Sequence, residues 1–598
     1  MPESIRNTAA LIDQNLADIT VCDPAVGSGA FPVGMMSEIV RARNVLTPFL
    51  SPQGQTQPTT VITSGAKQSQ SPENRTPYEF KRRCIEHSLY GVDIDPGAVE
   101  IAKLRLWLSL VVDEDDIKNI KPLPNLDYKV VCGNSLLGVE KNLFNLNLFN
   151  ELEKLKPLFF NETNPTKKQE FRKQINDLIS QITNGHKEFD FEIYFSEVFH
   201  RKGGFDVVIA NPPYFVYQGH HKEEIASIKK SPLYELCKGG KLNAYKLFLA
   251  KSSFLSKKRG LIILIFQNSF LADNAAKNIR KHYLKNHRIL IIDSFPERDD
   301  YKKRVFEPVK MSVCILLAIT EKNNDYKFIL RVWESRKMLT NWTTVFSKSS
   351  IKRYDEKTWQ IPYLKEYEKN LFDNLFNREC NHVKCYEGEI NMTFHKYLLS
   401  TNKENPSAIK GAAVQRYFVT KNMSQGILEY LNEPLYLENN RGAKANHHNF
   451  DRVVMQGITG VDDKQRIIMA IIKNGSYCAN SCNYIMPNEQ YDIRFLLGFF
   501  NSKITNWMFK KTSTNSNVNC YEIEAIPIPN ILKSQQKIII SFVEKILNLT
   551  NDKDYPGNSQ NKAKVKNFEA NIDQLVYKLY DLTPREIKIV EGENINFD

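Results

Sequence analysis

A doubly wound α/β fold is what the first half of this chain predicts, and three observations carry the prediction. Short β-branched or apolar runs alternate with helical stretches, which is the rhythm of a parallel sheet with helices on both faces. Gly-, Asp- or Asn-bearing turns follow several of those runs, at the carboxyl edge where open α/β sheets build their sites. Hydrophobic residues are 42% and aromatics 11% of the 598 residues, enough to fill several cores rather than one.

The first strand, Ile19 to Cys22, runs into Asp23-Pro24-Ala25-Val26-Gly27-Ser28-Gly29-Ala30-Phe31, with Pro32 suited to a first helical turn. Glycines here let the backbone approach a ligand that a Cβ would exclude. The turn lacks the Walker spacing and its Lys, so a nucleotide phosphate fits poorly. An acidic turn suits a cation, and S-adenosylmethionine, with its sulfonium and ammonium, fits better than ATP. Asp23, Ala25, Gly27, Gly29 and Phe31 are the candidate cofactor residues of this turn.

The second strand, Ser88 to Val92, ends at Asp93, where a carboxylate can accept from both ribose hydroxyls, and Ile94 can face an adenine. An Asp at a strand end is more often a turn or helix cap. The third, Tyr128 to Cys132, leads to Asn134, whose amide can hydrogen-bond the adenine of the cofactor. The fourth, Asp206 to Ala210, leads to Asn211-Pro212-Pro213-Tyr214, stiffened by two prolines. The Asn211 side-chain oxygen and the Pro212 carbonyl can accept both protons of an amine and aim its lone pair at a methyl donor, and Tyr214 can stack on a base. Gly260 to Phe266, Ile289 to Ile292 and Met311 to Leu317 complete seven strands.

A Ser/Pro/Gln/Thr-rich insertion at about 47–76 has little to bury and is expected to be mobile, whereas about 140–204 has helical periodicity and many charges. The βα rhythm stops after about Asn323 and Gly-punctuated short strands follow from about Lys384. The expected divisions are therefore 1–325, a connector at 326–383, a separate domain at 384–533, and a helical region at 534–598.

Lys and Arg outnumber Asp and Glu by 81 to 68, a net charge of +13 that favours a polyanionic partner such as nucleic acid. Ten scattered cysteines in mostly apolar runs read as reduced thiols of a cytoplasmic protein. The longest apolar run, Leu261 to Phe266, is a strand and no membrane span, and no signal peptide is read at the N-terminus. Cys380, His382, Cys385, Cys478 and Cys482 match no familiar zinc spacing, so no metal is expected.

The order of the Asp23 turn, the Asn211 tetrapeptide and a trailing domain resembles the gamma group of amino DNA methyltransferases, in which a DPxxGSG motif precedes NPPY and the target-recognition region comes last. More closely, the chain resembles the methylase part of type IIG restriction-modification enzymes and related BREX-type methylases, almost end to end. The resemblance implies a Rossmann-like, seven-stranded S-adenosylmethionine-dependent methyltransferase domain with a helical insertion. A mixed α/β target-recognition domain of the TaqI-like type and C-terminal helices would follow it. It also implies that Asn211 to Tyr214 hold a flipped adenine of double-stranded DNA for N6 methylation, and that Phe306, in Arg304 to Cys314, stacks on that base. Core packing is an equal reading of Phe306.

Leu242 to Phe248 and Gln267 to Leu271 resemble family segments beside the cofactor pocket and after the next strand. Arg452, Lys464, Arg466, Lys503 and Lys510 are candidate DNA contacts of the recognition domain, each equally readable as a solvated charge. Val26 stands where the family commonly has Cys, and the first strand starts too early to leave room for the family's upstream motif or for a nuclease module. The expectation is a methylase of a restriction-modification or phage-defence system, with a nuclease or defence-system partner left open. The rivals are a type IIG restriction enzyme whose nuclease lies outside this chain, a non-catalytic DNA-specificity subunit, and a protein-glutamine methyltransferase, which shares Asn-Pro-Pro-Tyr but lacks a large C-terminal reader.

Overall fold

A computed structural model describes residues 1–50, 75–112, 126, 128–138, 146–162, 164–183, 185, 189–421, 423, 426–460, 464–513, 516–552 and 554–593. Most of the insertion expected to be mobile, 51–74, lies outside the described residues. The chain forms two compact units, Met1–Phe270 with Asn274–Trp342, and Leu271–Asp273 with Thr343–Asp598.

The first unit is built on strands β1 (Val21–Asp23), β2 (Leu89–Asp93), β3 (Val130–Cys132), β4 (Phe205–Ala210), β5 (Ser256–Gln267), β6 (Arg288–Phe295), β7 (Val313–Ile319) and β8 (Lys327–Trp333). They lie in the order β3-β2-β1-β4-β5-β7-β6-β8, and β9 (Asn341–Ser347) at the edge carries the chain into the second unit. Pairing is parallel from β3 to β5, so the loops after β1, β2, β3 and β4 leave the same edge. The chain reverses its winding between β1 and β4, which are paired at Val21↔Val207, and a crevice opens at such a switch point.

Alternation along the strands explains why both faces are covered. Val21, Leu89, Val130 and Val207 face one core with Met36, Ile39, Val99, Ala102 and Leu106 from the helices Ala30–Leu46 and Pro96–Val111. Cys22, Tyr90, Val131 and Val208 face the other, with Ile175, Leu178, Ile179 and Ile182 from the helix Pro165–Ile182 of the insertion. That helical insertion is thus the second face of the sheet.

The sheet corrects two expectations. It is mixed rather than parallel throughout, because β7 runs antiparallel between β5 and β6. It also continues past residue 325, so the segment expected to begin a connector supplies β8, parallel to β6, and then β9. β8 buries Phe328, Leu330 and Val332 on alternate positions, while Arg331 binds both oxygens of Asp293 at 2.6 Å. No helix separates β7 from β8, and the rhythm that signals a doubly wound sheet stops while the sheet goes on.

In the second unit, Cys385–Glu387, Cys482–Ile485, Arg452–Gln456 and Met469–Ile472 form an antiparallel four-stranded sheet. Leu399–Ser400, Glu429–Leu431, Ser407–Ile409 and Tyr477–Cys478 form another. The helix Lys533–Thr550, expected to start a separate helical region, packs on Ile493–Phe500 and Ser559–Leu579 and belongs to the same unit.

Candidate active site

Asp23 closes β1 with its side chain buried, and its Oδ1 accepts from the Ala25 amide at 2.9 Å. Burial pushes its carboxyl up to about 7, the Ala25 amide opposes this, and the nearby Asp93 adds to it. A buried acid raised this far gains most from a cation placed beside it.

Asp93, at the end of β2, receives the Gly27 amide on Oδ2 at 2.8 Å and the Asp95 amide on Oδ1 at 3.0 Å. The Val26 amide bonds the Val92 carbonyl at 3.0 Å, so the glycine turn is stitched to the second strand at two points. Each Asp93 oxygen keeps a further lone pair for a ligand. Residue type and position alone make Asp93 a ligand group or a cap, and its tie to a turn 66 residues earlier leaves no local signal.

Gly29 has φ +81°, and a Cβ there would lie 3.0 Å from Ala102, where the helix Ala30–Leu46 meets the helix Pro96–Val111. Gly91 leaves space for the Val26 side chain, since a Cβ at Gly91 would stand 2.7 Å from Val26 Cγ2. Ala25 and Phe31 are half-buried, and Ile94 stands 65% exposed beside Asp93, available to an adenine ring. Asn134 Oδ1 accepts from the Leu136 amide at 3.0 Å, and Ser135 Oγ donates to the Pro24 carbonyl at 2.6 Å. The β3 loop is thereby tied to the β1 turn, a tether that the sequence did not signal.

Asn211 and Pro213 are exposed and Pro212 is buried in the turn after β4. The Tyr214 hydroxyl lies 3.0 Å from Asn211 Oδ1 and 3.3 Å from the Ile265 carbonyl, both acceptors for its one proton. Burial pushes the phenol well above its ordinary range, so it stays a donor. The Tyr214 and Phe306 rings are 5.6 Å apart at 55°, beside Phe295, Val313 and Trp333. Trp333 Nε1 donates to Asp293 Oδ1 at 2.7 Å, and the Asp293–Arg331 pair therefore braces the wall behind Phe306.

Among the other segments singled out, Lys246 is buried, and its Nζ donates to the carbonyls of Cys237, Gly239 and Ala275, each at 3.1 Å. It pins the helix Ala244–Leu255 to its surroundings. Contrary to expectation, Arg452 and Arg466 are buried, and so are neither DNA contacts nor solvated charges. Arg452 is held by Glu389 and the Ser476 carbonyl over the Tyr484 ring, and Arg466 by Thr459. Lys503 pairs with Glu591 at 2.8 Å, and Lys464 and Lys510 are exposed.

Cys478 and Cys482 are core residues, whereas Cys380 lies 3.7 Å from His382 at the surface. No three His, Cys, Asp or Glu side chains converge to hold a metal among the described residues, and no described helix is long and apolar enough to cross a membrane.

Residues 87–301 match the Eco57I restriction-modification methylase family, and residues 456–554 match the type I restriction modification DNA specificity domain. An inferred type II restriction enzyme and methyltransferase of Methanocaldococcus jannaschii is 22% identical across 96% of this chain and 53% of its own length. The type II methyltransferase M.AccI of Acinetobacter calcoaceticus is 22% identical across 64% of this chain and 65% of its own. The chain thus spans about half the length of the first relative. The fold is shared with the type IIL restriction-modification enzyme MmeI, solved in complex with DNA, at TM-score 0.54 and 12% identity, over 99% of this chain and 75% of that one. The chain is thus similar to a restriction-modification methylase over 87–301 and to a DNA specificity domain over 456–554. Asp93, Asn134 and Asn211 to Tyr214 fall inside the methylase match, while the Asp23 turn and Phe306 lie outside it.

Proposed function

We propose that this chain, a methylase domain joined to a DNA specificity domain, methylates the exocyclic amine of adenine at specific sites in double-stranded DNA. Its setting would be a restriction-modification or phage-defence system. The observation that carries the reading is the position of Asn211 to Tyr214 after β4, at the same sheet edge as the acidic Asp23 turn after the adjacent β1. One loop is built for an amine acceptor and the other for a cation.

The donor set fits S-adenosylmethionine. Asp23 offers a buried carboxyl, Asp93 has free lone pairs for ribose hydroxyls, Ile94 is an exposed apolar surface, and Asn134 carries a side-chain amide on the loop after β3. Ala25, Gly27, Gly29 and Phe31 shape the turn against which the cofactor would lie. When bound, S-adenosylmethionine supplies an electrophilic methyl on a sulfonium.

The protein's part is then positioning and charge. Asn211 Oδ1 and the Pro212 carbonyl accept the two N–H protons of the target amine, and favour the positive charge that grows on it during transfer. Tyr214 can hold the Asn211 amide in the accepting orientation through its hydroxyl, because an Oδ1 that receives the phenol keeps one lone pair. Phe306 and the Tyr214 ring offer faces to an extrahelical base. The recognition domain selects the site.

The test incubates the protein with methyl-tritiated cofactor and adenine-unmethylated plasmid DNA, followed by nucleoside analysis. Label is expected in N6-methyladenine, and Asn211→Ala should lower kcat by about 100-fold or more while cofactor binding persists. Label in cytosine or protein, or none despite cofactor binding, would sink the proposal. The last outcome would favour a non-catalytic specificity subunit.

A further inference from the structure

We propose that the turn Asn391 to Leu398 in the second unit is a duplex-contacting ledge, on which Phe394 and Tyr397 wedge against base steps while Lys396 and Lys403 meet phosphates. The inference rests on the reading that DNA is the substrate, and it adds a contact surface outside the matched specificity segment at 456–554.

Phe394 is 74% and Tyr397 71% exposed, among the most exposed large rings of the described residues. An aromatic ring left in water forgoes the burial that makes such residues worth placing, so two of them three positions apart invite a partner. They are not on a slack loop. Asn391 Oδ1 accepts from the amides of Thr393 and Phe394 at 3.0 and 3.2 Å. The Asn391 amide donates to His395 Nδ1 at 3.1 Å, and the His395 amide returns to the Asn391 carbonyl at 2.8 Å.

Below the rings the turn is nailed to the core. Leu398 is buried with Ile390, Ala408, Leu431, Tyr436 and Tyr477, and the His395 ring packs edge-on against Tyr436 at 5.4 Å. The rings are therefore held out at little further entropic cost on binding.

Charge chooses the occupant. Lys396 and Lys403 are exposed, neither pairs with an acid among the described residues, and Glu404 is the only acid in the sequence from 391 to 404. A lysine between two apolar wedges, with a second shortly after the turn, is the chemistry of a surface that neutralises phosphates and presses on base steps. A protein partner would use the rings but has no need of the lysines.

The test measures binding of fluorescent fragments of adenine-unmethylated plasmid, and methyl transfer to the same plasmid, in the full chain. Phe394→Ala with Tyr397→Ala should weaken binding and raise KM for DNA roughly tenfold or more. The thermal midpoint, cofactor affinity and kcat should stay near wild type. Lys396→Ala with Lys403→Ala should reduce the slope of log affinity against log salt by about two. Unchanged affinity and slope overturn the ledge. So does a wild-type oligomer that the aromatic variant dissociates with DNA affinity intact, which would make the ledge a protein contact. Wild type that binds these fragments through the ledge but transfers no methyl defeats the proposed activity and leaves the ledge standing.

Discussion

Folding moves the Asp23 carboxyl into the range where a cationic ligand can displace its proton. In the folded protein its carboxyl is raised from 3.8 to about 7, first by burial and then by Asp93, against the pull of the Ala25 amide. Between those two values the folded protein binds more protons than the unfolded chain, so stability falls as pH rises from about 4 to about 7. A cation against Asp23 reverses the shift and expels the proton. Cofactor binding near neutral pH should therefore release up to one proton per site, with apparent affinity rising with pH until about 7. Calorimetry in buffers of differing ionisation enthalpy reads the proton, and Asp23→Asn should remove it. A binding heat independent of buffer in the wild type would take Asp23 out of this role. The placement of Asp23 at the end of a strand and of Asn211 directly after one was legible from the sequence. The Tyr214 to Asn211 bond and the Ile265 carbonyl behind it were not, because they need β4 and β5 side by side.

At the scale of elements, the N-terminal helices depend on a clasp that the sequence does not advertise. Asp13, on the helix Ala9–Asp18, receives Arg43 from the helix Ala30–Leu46 at 3.0 and 3.3 Å and Arg75 at 2.9 and 2.8 Å. Arg43 is buried with its guanidinium 4.1 Å from the Phe80 ring centroid. Burial alone would raise the Asp13 carboxyl, but the hydrogen bonds from Arg75 and Arg43 outweigh it and hold it at about 2. The depressed value means that this contribution is present above about 4 and is lost as pH falls towards about 2. Asp13→Ala removes the carboxylate to which both Arg43 and Arg75 donate and should cost about 3 kcal/mol in urea unfolding at pH 7. A cost within about 0.5 kcal/mol of zero, as at an ordinary surface site, would show that the clasp is idle. The same scale explains Arg452, where Glu389, 63 residues earlier, turns a candidate surface charge into a core ion pair.

For the whole molecule, the two units make separable demands. Hydrogen exchange followed by peptide should show protection by S-adenosylmethionine at 23–31, 91–95 and 132–136. Plasmid fragments should protect 391–403 in the second unit. Cofactor protection confined to the second unit would contradict the assignment of the β1 to β3 loops. Residue pattern made legible most of the strand-and-turn grammar of the first unit and the residue types that stand at its turns. Both are local, set by side-chain period, by glycine and proline geometry, and by which residue follows a strand. Tertiary structure alone decided that β8 and β9 extend the sheet, that Asp93 anchors the glycine turn, that two candidate arginines are buried, and that Phe394 and Tyr397 are held out in water. The physical reason is common to all four. Burial and hydrogen-bond satisfaction belong to pairs of groups far apart in the chain, and neither partner records the other in its own sequence neighbourhood.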